Sequence, residues 1–444
     1  MVTDMTQGKP ARLLIRFALP MLLSVMFQQL YNIVDSMVAG RFIGEGALAA
    51  VGASYPVTMI FMAVATGANI GCSVIISQYF GAHAHEHLKT AVCTSVITML
   101  GVSLAMTLVG VLFCGPFMRL LGTPDDIFAD SMTYLNIYVY GLIFLCMYNI
   151  FTGVFTALGD SRTPLYFLIF SSLFNIALDL FMVIVLHMGV AGVAIATFIA
   201  QGISAVLAGV TLLRRLRAIP SGRYALFSPS MLQRIARVAV PSILQQSFVS
   251  VGNLFVQSLV NGYGSAVIAG YSAAVKLNTF SITSMTTVGN AASSFTAQNV
   301  GAGNTARVRE GLRAGMVVAM LITMLFFVPY FFFSRVSMSL FLAEGGAALQ
   351  TGVRFLRIVS PFYFVVCIKL VCDGVLRGAG AMKQFMITTF SDLILRVLLA
   401  FVLSGLMHDS LGIWLSWPLG WTVGAVLSYY YYHTGAWENA SAIR

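Results

Sequence analysis

A chain of 444 residues with 59% hydrophobic and 9% charged side chains cannot fold as an ordinary water-soluble protein. The formal charge of +10 does not point to nucleic acid, because the basic residues are distributed loop by loop and not gathered on one soluble face. A transmembrane barrel is a poor reading, since the long runs are apolar on nearly every side whereas barrel strands alternate.

In chain order, the apolar runs predict twelve membrane helices over 12–38, 50–79, 88–115, 130–158, 163–187, 190–213, 231–259, 265–299, 308–334, 350–378, 383–407 and 411–433. Each is long enough to cross a hydrocarbon core of about 30 Å. The first run, Leu13 to Ala39, is too long for the apolar part of a signal peptide and shows no clear cleavage site, so it reads as a helix inserted directly. The expected fold class is all-α integral membrane. The cysteines Cys72, Cys93, Cys114, Cys146, Cys367 and Cys372 lie in or at the ends of these runs without ligand spacing and read as buried thiols. The HAHEH run, His83 to His87, falls in a loop and reads as a solvated turn rather than a metal site.

Loop charge sets the expected orientation. Lys9, Arg12 and Arg16, Lys89, Arg162, the group from Arg214 to Arg237, Arg307 to Arg313, and Lys383 fall on one side, which the positive-inside rule makes the cytoplasm. The other side holds Arg41, Arg119 and Arg335, with Asp125, Asp126 and Asp130 nearby. Both termini are expected in the cytoplasm of a multi-pass protein of the cell membrane. The most polar connection, Arg214 to Ser230, lies at the middle of the chain and reads as a linker. The expected organisation is an N-terminal six-helix bundle over 1–214, a linker over 215–230 and a C-terminal six-helix bundle over 231–444.

The halves can be laid over one another. Pro20 meets Pro241, Asn32 meets Asn253 and Gly153 meets Gly374 at an offset of 221; Gln78 meets Gln298, Gly81 meets Gly301 and Gly192 meets Gly412 at 220. An offset that drifts by one residue over six ordered matches indicates a duplication. Two halves of six helices insert the same way, which predicts a relation about the membrane normal and a cavity between them. Pro20 and Pro241 remove a backbone hydrogen bond inside the first helix of each half. The bend this permits at Pro20 is a candidate moving part; a static bend is the alternative.

Polar residues separate the halves. An intramembrane carboxylate is costly, by roughly 2.5–3.5 kcal/mol on insertion scales, so Asp35 and Asp179 need a reason. Gln28 precedes Asp35 by seven residues on one face of the first helix, Asn175 and Asp179 are i, i+4 in helix 5, and Thr197 adds a hydroxyl from helix 6. Their counterparts in the second half are Val249, Val256, Leu395, Leu399 and Trp417. A polar set kept in one half only favours a functional site over a structural hydrogen-bond network. Two close carboxylates would share a proton, or five oxygen-bearing side chains would suit a hard monovalent cation; spacing leaves both open. Elsewhere, Asp373 with Arg377 and Asp392 with Arg396 are spaced i, i+4 and are expected to pair, whereas Lys276 and Lys369 have no evident partner by spacing.

These residues resemble the multidrug and toxic compound extrusion family over nearly the whole chain. The resemblance rests on QQLYNIVDSMVAG ending the first helix, SQYFGA after helix 2, TALGDSRTP after helix 4, FNIALDL in helix 5, GVAIAT in helix 6 and VLRGAG in the second half. It implies twelve helices in a V-shaped pair of bundles and an antiporter exporting small cationic or amphipathic compounds against inward H⁺ or Na⁺. It also implies a cation site at Gln28, Asp35, Asn175, Asp179 and Thr197. Some branches of the family place an acid in helix 7, but PSILQQSFVSVGNLFVQSL has none. The substrate cavity is expected to be largely apolar and aromatic, with Tyr31, Tyr138 and Asn149 as lining candidates. The expected partners are a small organic substrate, the coupling ion and the bilayer, with no nucleic acid, no cofactor and a monomeric chain. A lipid-linked precursor flippase and a non-transporting receptor or scaffold are the alternatives; an enzyme would need a nucleophile–base or HExxH set, which is not evident in the helices.

Overall fold

The computed structural model describes residues 3–38, 42–342 and 345–443, with the side chains at 32, 33, 35–37, 45 and 48 outside the description, as Arg41 is. Among the described residues every regular element is a helix: α1 (Pro10–Val38), α2 (Glu45–Gly81), α3 (His85–Leu120), α4 (Asp125–Tyr140), α5 (Leu142–Ala157), α6 (Arg162–Leu180), α7 (Gly189–Ala218), α8 (Pro229–Asn261), α9 (Ser265–Gly301), α10 (Thr305–Phe332), α11 (Ser334–Ser339), α12 (Ala347–Val359), α13 (Tyr363–Ala379), α14 (Met382–Met407) and α15 (Leu411–His433). Two of the twelve predicted spans are broken. The fourth bends by 47° between α4 and α5, at Gly141. The tenth passes from α12 to α13 through the tighter turn Ser360–Phe362, where Pro361 has no N–H to give to a continuous helix. Among the described residues nine helices are long and apolar enough to cross a membrane, and the α4–α5 pair makes a tenth. The more polar α8 and α9 occupy, in the second half, the places of α1 and α2.

The chain divides into two compact units: Met1–Thr3 with Leu19–Ser247, and Asp4–Ala18 with Phe248–Arg444. Thus the first turns of α1 count with the second unit, and those of α8 with the first. In the second unit Met5 is fully buried; its N–H donates to Gln298 Oε1 at 2.8 Å, and its carbonyl accepts from Asn299 Nδ2 at 3.2 Å. In the first unit Thr90 and Thr94 hydroxyls accept from the N–H groups of Ala225 and Ser228 at 3.3 and 3.2 Å. Each unit is thereby closed by a segment that precedes a proline-bearing helix.

Both units reuse the same turn. After α5, Gly159 (φ 74°) donates to Thr156 O at 3.0 Å and Asp160 N–H to Phe155 O at 2.9 Å; after α13, Gly380 (φ 91°) donates to Arg377 O at 3.0 Å and Ala381 N–H to Leu376 O at 2.9 Å. A left-handed residue closing a helix with this pair of bonds favours glycine. Beyond the turn the units differ. Asp160 accepts from Arg162 N–H and Thr163 N–H, each at 3.1 Å, from the Thr163 hydroxyl at 2.7 Å and from Arg215 at 2.5 Å, so the start of α6 is tied to the end of α7. Burial opposes ionisation there, but the Thr163 bonds and the Arg215 guanidinium prevail and hold the carboxyl below its usual range.

Close helix contacts explain the matched pair Gly153 and Gly374. A Cβ on Gly374 of α13 would press on the backbone carbonyl of Gly289 in α9, and one on Gly153 of α5 would meet Asn69 of α2. Small residues permit such approach between membrane helices. Five of the cysteines are buried; Cys93 is half-buried, an exception to the expectation for all six.

Candidate functional site

Asp179 is the penultimate residue of α6 and is fully buried (0% exposed). Directly beyond α6 the chain widens into a π-helical turn, Phe181–Val185, with Leu186 N–H reaching back five residues to Phe181 O at 3.1 Å. Such widened turns recur at functional sites. Asn175 lies one turn earlier and is also buried (2% exposed).

The amide of Asn175 joins three helices. In the orientation that satisfies its neighbours, it donates to Asp179 Oδ2 and to the Tyr31 hydroxyl, and it accepts from the Thr197 N–H, each at 3.0 Å. Tyr31 comes from α1, Asn175 and Asp179 from α6, and Thr197 from α7, all in the first unit. Thr197 also lines a cavity of about 10 Å³ with Tyr134, Tyr138, Gln201, Ile137 and Phe198, room for about one water molecule. The buried carboxylate with the two nearby hydroxyls offers oxygen to a proton or a hard monovalent cation, while the amide, which donates to the carboxylate, positions it.

The predicted residues are therefore partly gathered. Asn175, Asp179 and Thr197 come together. Asp35 belongs to α1, but its side chain lies outside the described residues. Gln28, also on α1, is exposed, and no hydrogen bond among the described residues joins it to the Asn175 group. Of the expected lining residues, Tyr31 is bonded to Asn175, Tyr138 borders the small cavity, and Asn149 is half-buried with its amide on Leu145 O at 2.8 Å within α5. Pro20 sits within a continuous α1, and its carbonyl accepts from Ser24 Oγ at 2.9 Å. The role of Tyr31 beside Asn175 had no signal in spacing, because it joins residues 144 positions apart.

The charges of the second unit pair differently from expectation. Asp373 meets Lys369 at 2.8 Å, an i, i+4 pair on α13, and not Arg377, which donates to Asn290 Oδ1 at 2.6 Å. Asp392 faces the same Lys369 at 3.6 Å, while Arg396 donates to Asn253 Oδ1 at 3.4 Å and lies over Trp417 at 4.6 Å. A compact ammonium reaches both carboxylates, and the longer guanidinium groups carry past them to amide and aromatic partners. Lys276 is exposed on α9. Around His83 to His87, as elsewhere among the described residues, no group of three metal-ligating side chains converges.

The MatE family profile matches residues 20–181 and again 241–402, two matches whose starts differ by 241 − 20 = 221 residues. The chain is 29% identical to the probable multidrug resistance protein YpnP of Bacillus subtilis, over 98% of this chain and 97% of the relative. It is 30% identical to the probable multidrug resistance protein YoeA of the same organism, over 96% of this chain and 94% of that one. Its fold matches a solved structure described as MATE in the straight conformation with a TM-score of 0.90 at 22% identity, over 98% of this chain and 97% of the other. With a duplicated profile along most of its length and relatives aligned nearly end to end, this membrane protein belongs to the MatE family, whose members are multidrug and toxic compound extrusion transporters and not enzymes.

Proposed function

We propose that this chain is a secondary antiporter of the cell membrane, with both termini in the cytoplasm, that exports small organic cationic or amphipathic compounds in exchange for inward H⁺ or Na⁺. Relatives named as multidrug resistance proteins support the cargo class. The observation that carries the coupling is the burial of Asp179 at the amide of Asn175, which ties it to Tyr31 and Thr197 across α1, α6 and α7. A carboxylate buried this fully demands a neutralising partner, and a proton or Na⁺ satisfies that demand reversibly. Asn175 and Thr197 position the carboxylate, and Gln28 and Asp35 of α1 are the further sequence candidates for the set. Because the three helices share one amide, loading or release of the cation changes bonds on all of them at once. Such differential binding lets an ion gradient bias the conformational equilibrium. A bend permitted by Pro20 is the proposed movement in α1.

The test is efflux of a fluorescent organic cation from proteoliposomes under an imposed proton gradient and, separately, a sodium gradient. Asp179→Asn is expected to abolish gradient-driven efflux while leaving the protein folded. Efflux of Asp179→Asn at the unsubstituted rate under both gradients would refute the assignment.

A further inference from the structure

The interior of the second unit holds Lys369, Asp373 and Arg377 on α13 and Asp392 and Arg396 on α14, each only 5–8% exposed. Lys369 Nζ bridges the two carboxylates, at 2.8 Å from Asp373 and 3.6 Å from Asp392. The other oxygen of Asp373 accepts from the Thr388 hydroxyl of α14 at 3.0 Å and the Ser428 hydroxyl of α15 at 2.6 Å. Arg377 and Cys372 of its own helix lie within electrostatic range of Asp373. Around Arg396 stand Trp417 of α15, Asn253 of α8 and, electrostatically, Tyr271 of α9.

Two glycines of α15 make the slot. A Cβ at Gly424 would stand 2.6 Å from Lys369 Cε, and one at Gly420 would stand 2.8 Å from Asp392 Oδ1. The lysine stem therefore fills the space beside the carboxylates.

The duplication makes this arrangement informative. At offset 221, Lys369, Asp373 and Arg377 correspond to Tyr148, Thr152 and Thr156; at 220, Asp392 and Arg396 correspond to Ser172 and Ile176, and Gly420 and Gly424 to Ala200 and Ser204. The fixed bases, the carboxylates they serve and the glycines that admit them are all particular to the second half. Conversely, Asn175, Asp179 and Thr197 meet Leu395, Leu399 and Trp417. Buried carboxylates can be neutralised by a mobile cation or by a base covalently attached nearby, and the second unit has the attached kind.

We propose that Lys369, backed by Arg377, is a tethered counter-ion that holds Asp373 and Asp392 as carboxylates throughout the transport cycle, so that the second unit takes up no coupling ion. Ion coupling then belongs to the first unit alone, and the ion-to-substrate ratio reflects one site. This rests on the reading of Asp179 as the coupling carboxylate. Lys369 is a positioning residue, since it acts on what its neighbours bind and not on the cargo.

The experiment counts protonated buried carboxyls by their C=O stretch in infrared difference spectra of the purified full-length protein acidified through neutrality. Gradient-driven efflux is measured on the same variants in proteoliposomes. Asp373→Asn and Asp392→Asn are expected to leave the carboxyl signal and the ion-to-substrate ratio unchanged. Lys369→Met is expected to add the signal of one protonatable carboxyl, and Lys369→Met with Asp373→Asn to remove it again. Loss of signal in Asp373→Asn or Asp392→Asn, or a folded Lys369→Met without the added signal, overturns the proposal. Should Lys369→Met fail to fold, the two asparagine variants decide on their own. Asp179→Asn separates the two readings: if it leaves gradient-driven efflux intact, the first-unit assignment fails, while the asparagine variants still report whether the second unit titrates.

Discussion

Replacement of Gly374 by alanine tests whether the duplicated landmarks are contacts between backbones. The added Cβ would press on the carbonyl oxygen of Gly289 while standing 3.0 Å from its carbonyl carbon and 3.3 Å from its Cα, all main-chain atoms of α9 that no rotamer change can move. Restoring ordinary contact requires α13 and α9 to part by roughly 1 Å. Overpacking of this kind costs roughly 1–3 kcal/mol, against which alanine returns about 1 kcal/mol of helix propensity. Gly101→Ala in α3 provides the control, since nothing lies within 4 Å of its Cβ position and only the propensity gain remains. Gly153→Ala falls between them: its nearest neighbour is the side-chain oxygen of Asn69, which can swing away, and the Asn69 backbone oxygen is at 3.4 Å. Thermal unfolding in detergent, read with a thiol-reactive dye through the buried cysteines of both units, is expected to rank stability as Gly101→Ala, then Gly153→Ala, then Gly374→Ala. A Gly374→Ala protein that melts with or above Gly101→Ala would refute the close-contact reasoning.

Two further perturbations probe the first unit. Asp160→Asn breaks an ion pair whose carboxylate side chain is fully buried and whose Arg215 partner is 26% exposed; breaking a buried pair costs roughly 3–5 kcal/mol, and partial exposure puts the expected loss near the lower end. Because folding holds this carboxyl below its unfolded value of about 3.9, its contribution is complete above that pH and disappears as pH falls through the folded value. Acid unfolding curves should therefore lose this part of their steepness in the variant, and identical curves would remove Asp160 from the account. Tyr31→Phe deletes one hydrogen bond to Asn175, worth roughly 0.5–1.5 kcal/mol or about 2- to 13-fold in the half-saturating concentration of the coupling ion. Ion-dependent efflux checks it, and an unchanged half-saturation excludes Tyr31 from the site.

Much of the frame was legible because membrane helices and backbone turns leave local marks. Pro20 with Pro241 and Gly153 with Gly374 mark positions where the chain lacks a donor or where two helices approach, and such constraints survive duplication in register. The break inside the fourth span was not legible, whereas the one in the tenth carries a local mark in Pro361. Gly141 is a common residue in membrane helices, and the bend at α4–α5 depends on packing as well as on one glycine. The spacing of Asn175 and Asp179 showed a shared face, yet neither the π-helical turn after them nor the bond to Tyr31 is implied by periodicity. Local spacing also leaves the partners in the second unit undecided. Asp373 has a basic residue four positions before and four after it, Lys369 and Arg377, and periodicity cannot choose between them; Asp392 and Asn290, on two other helices, make the choice.

The two units show how a duplicated membrane bundle can diverge in chemistry while keeping its backbone landmarks. Positions such as Gly374 and Gly380 are held by backbone contacts or left-handed geometry, so substitution there disturbs the frame directly. Interior side chains face a weaker condition: every buried charge must be neutralised, but the means are free. Asp179 sits in a hydroxyl- and amide-rich pocket at a π-helical turn; Asp373 and Asp392 sit against an ammonium admitted by two glycines of α15. A mobile counter-ion makes a carboxylate responsive to a gradient, whereas an attached one makes it part of the scaffold. Residue type at Lys369 and its first-half counterpart Tyr148 is therefore the expected determinant of which half of a related chain can take part in ion coupling.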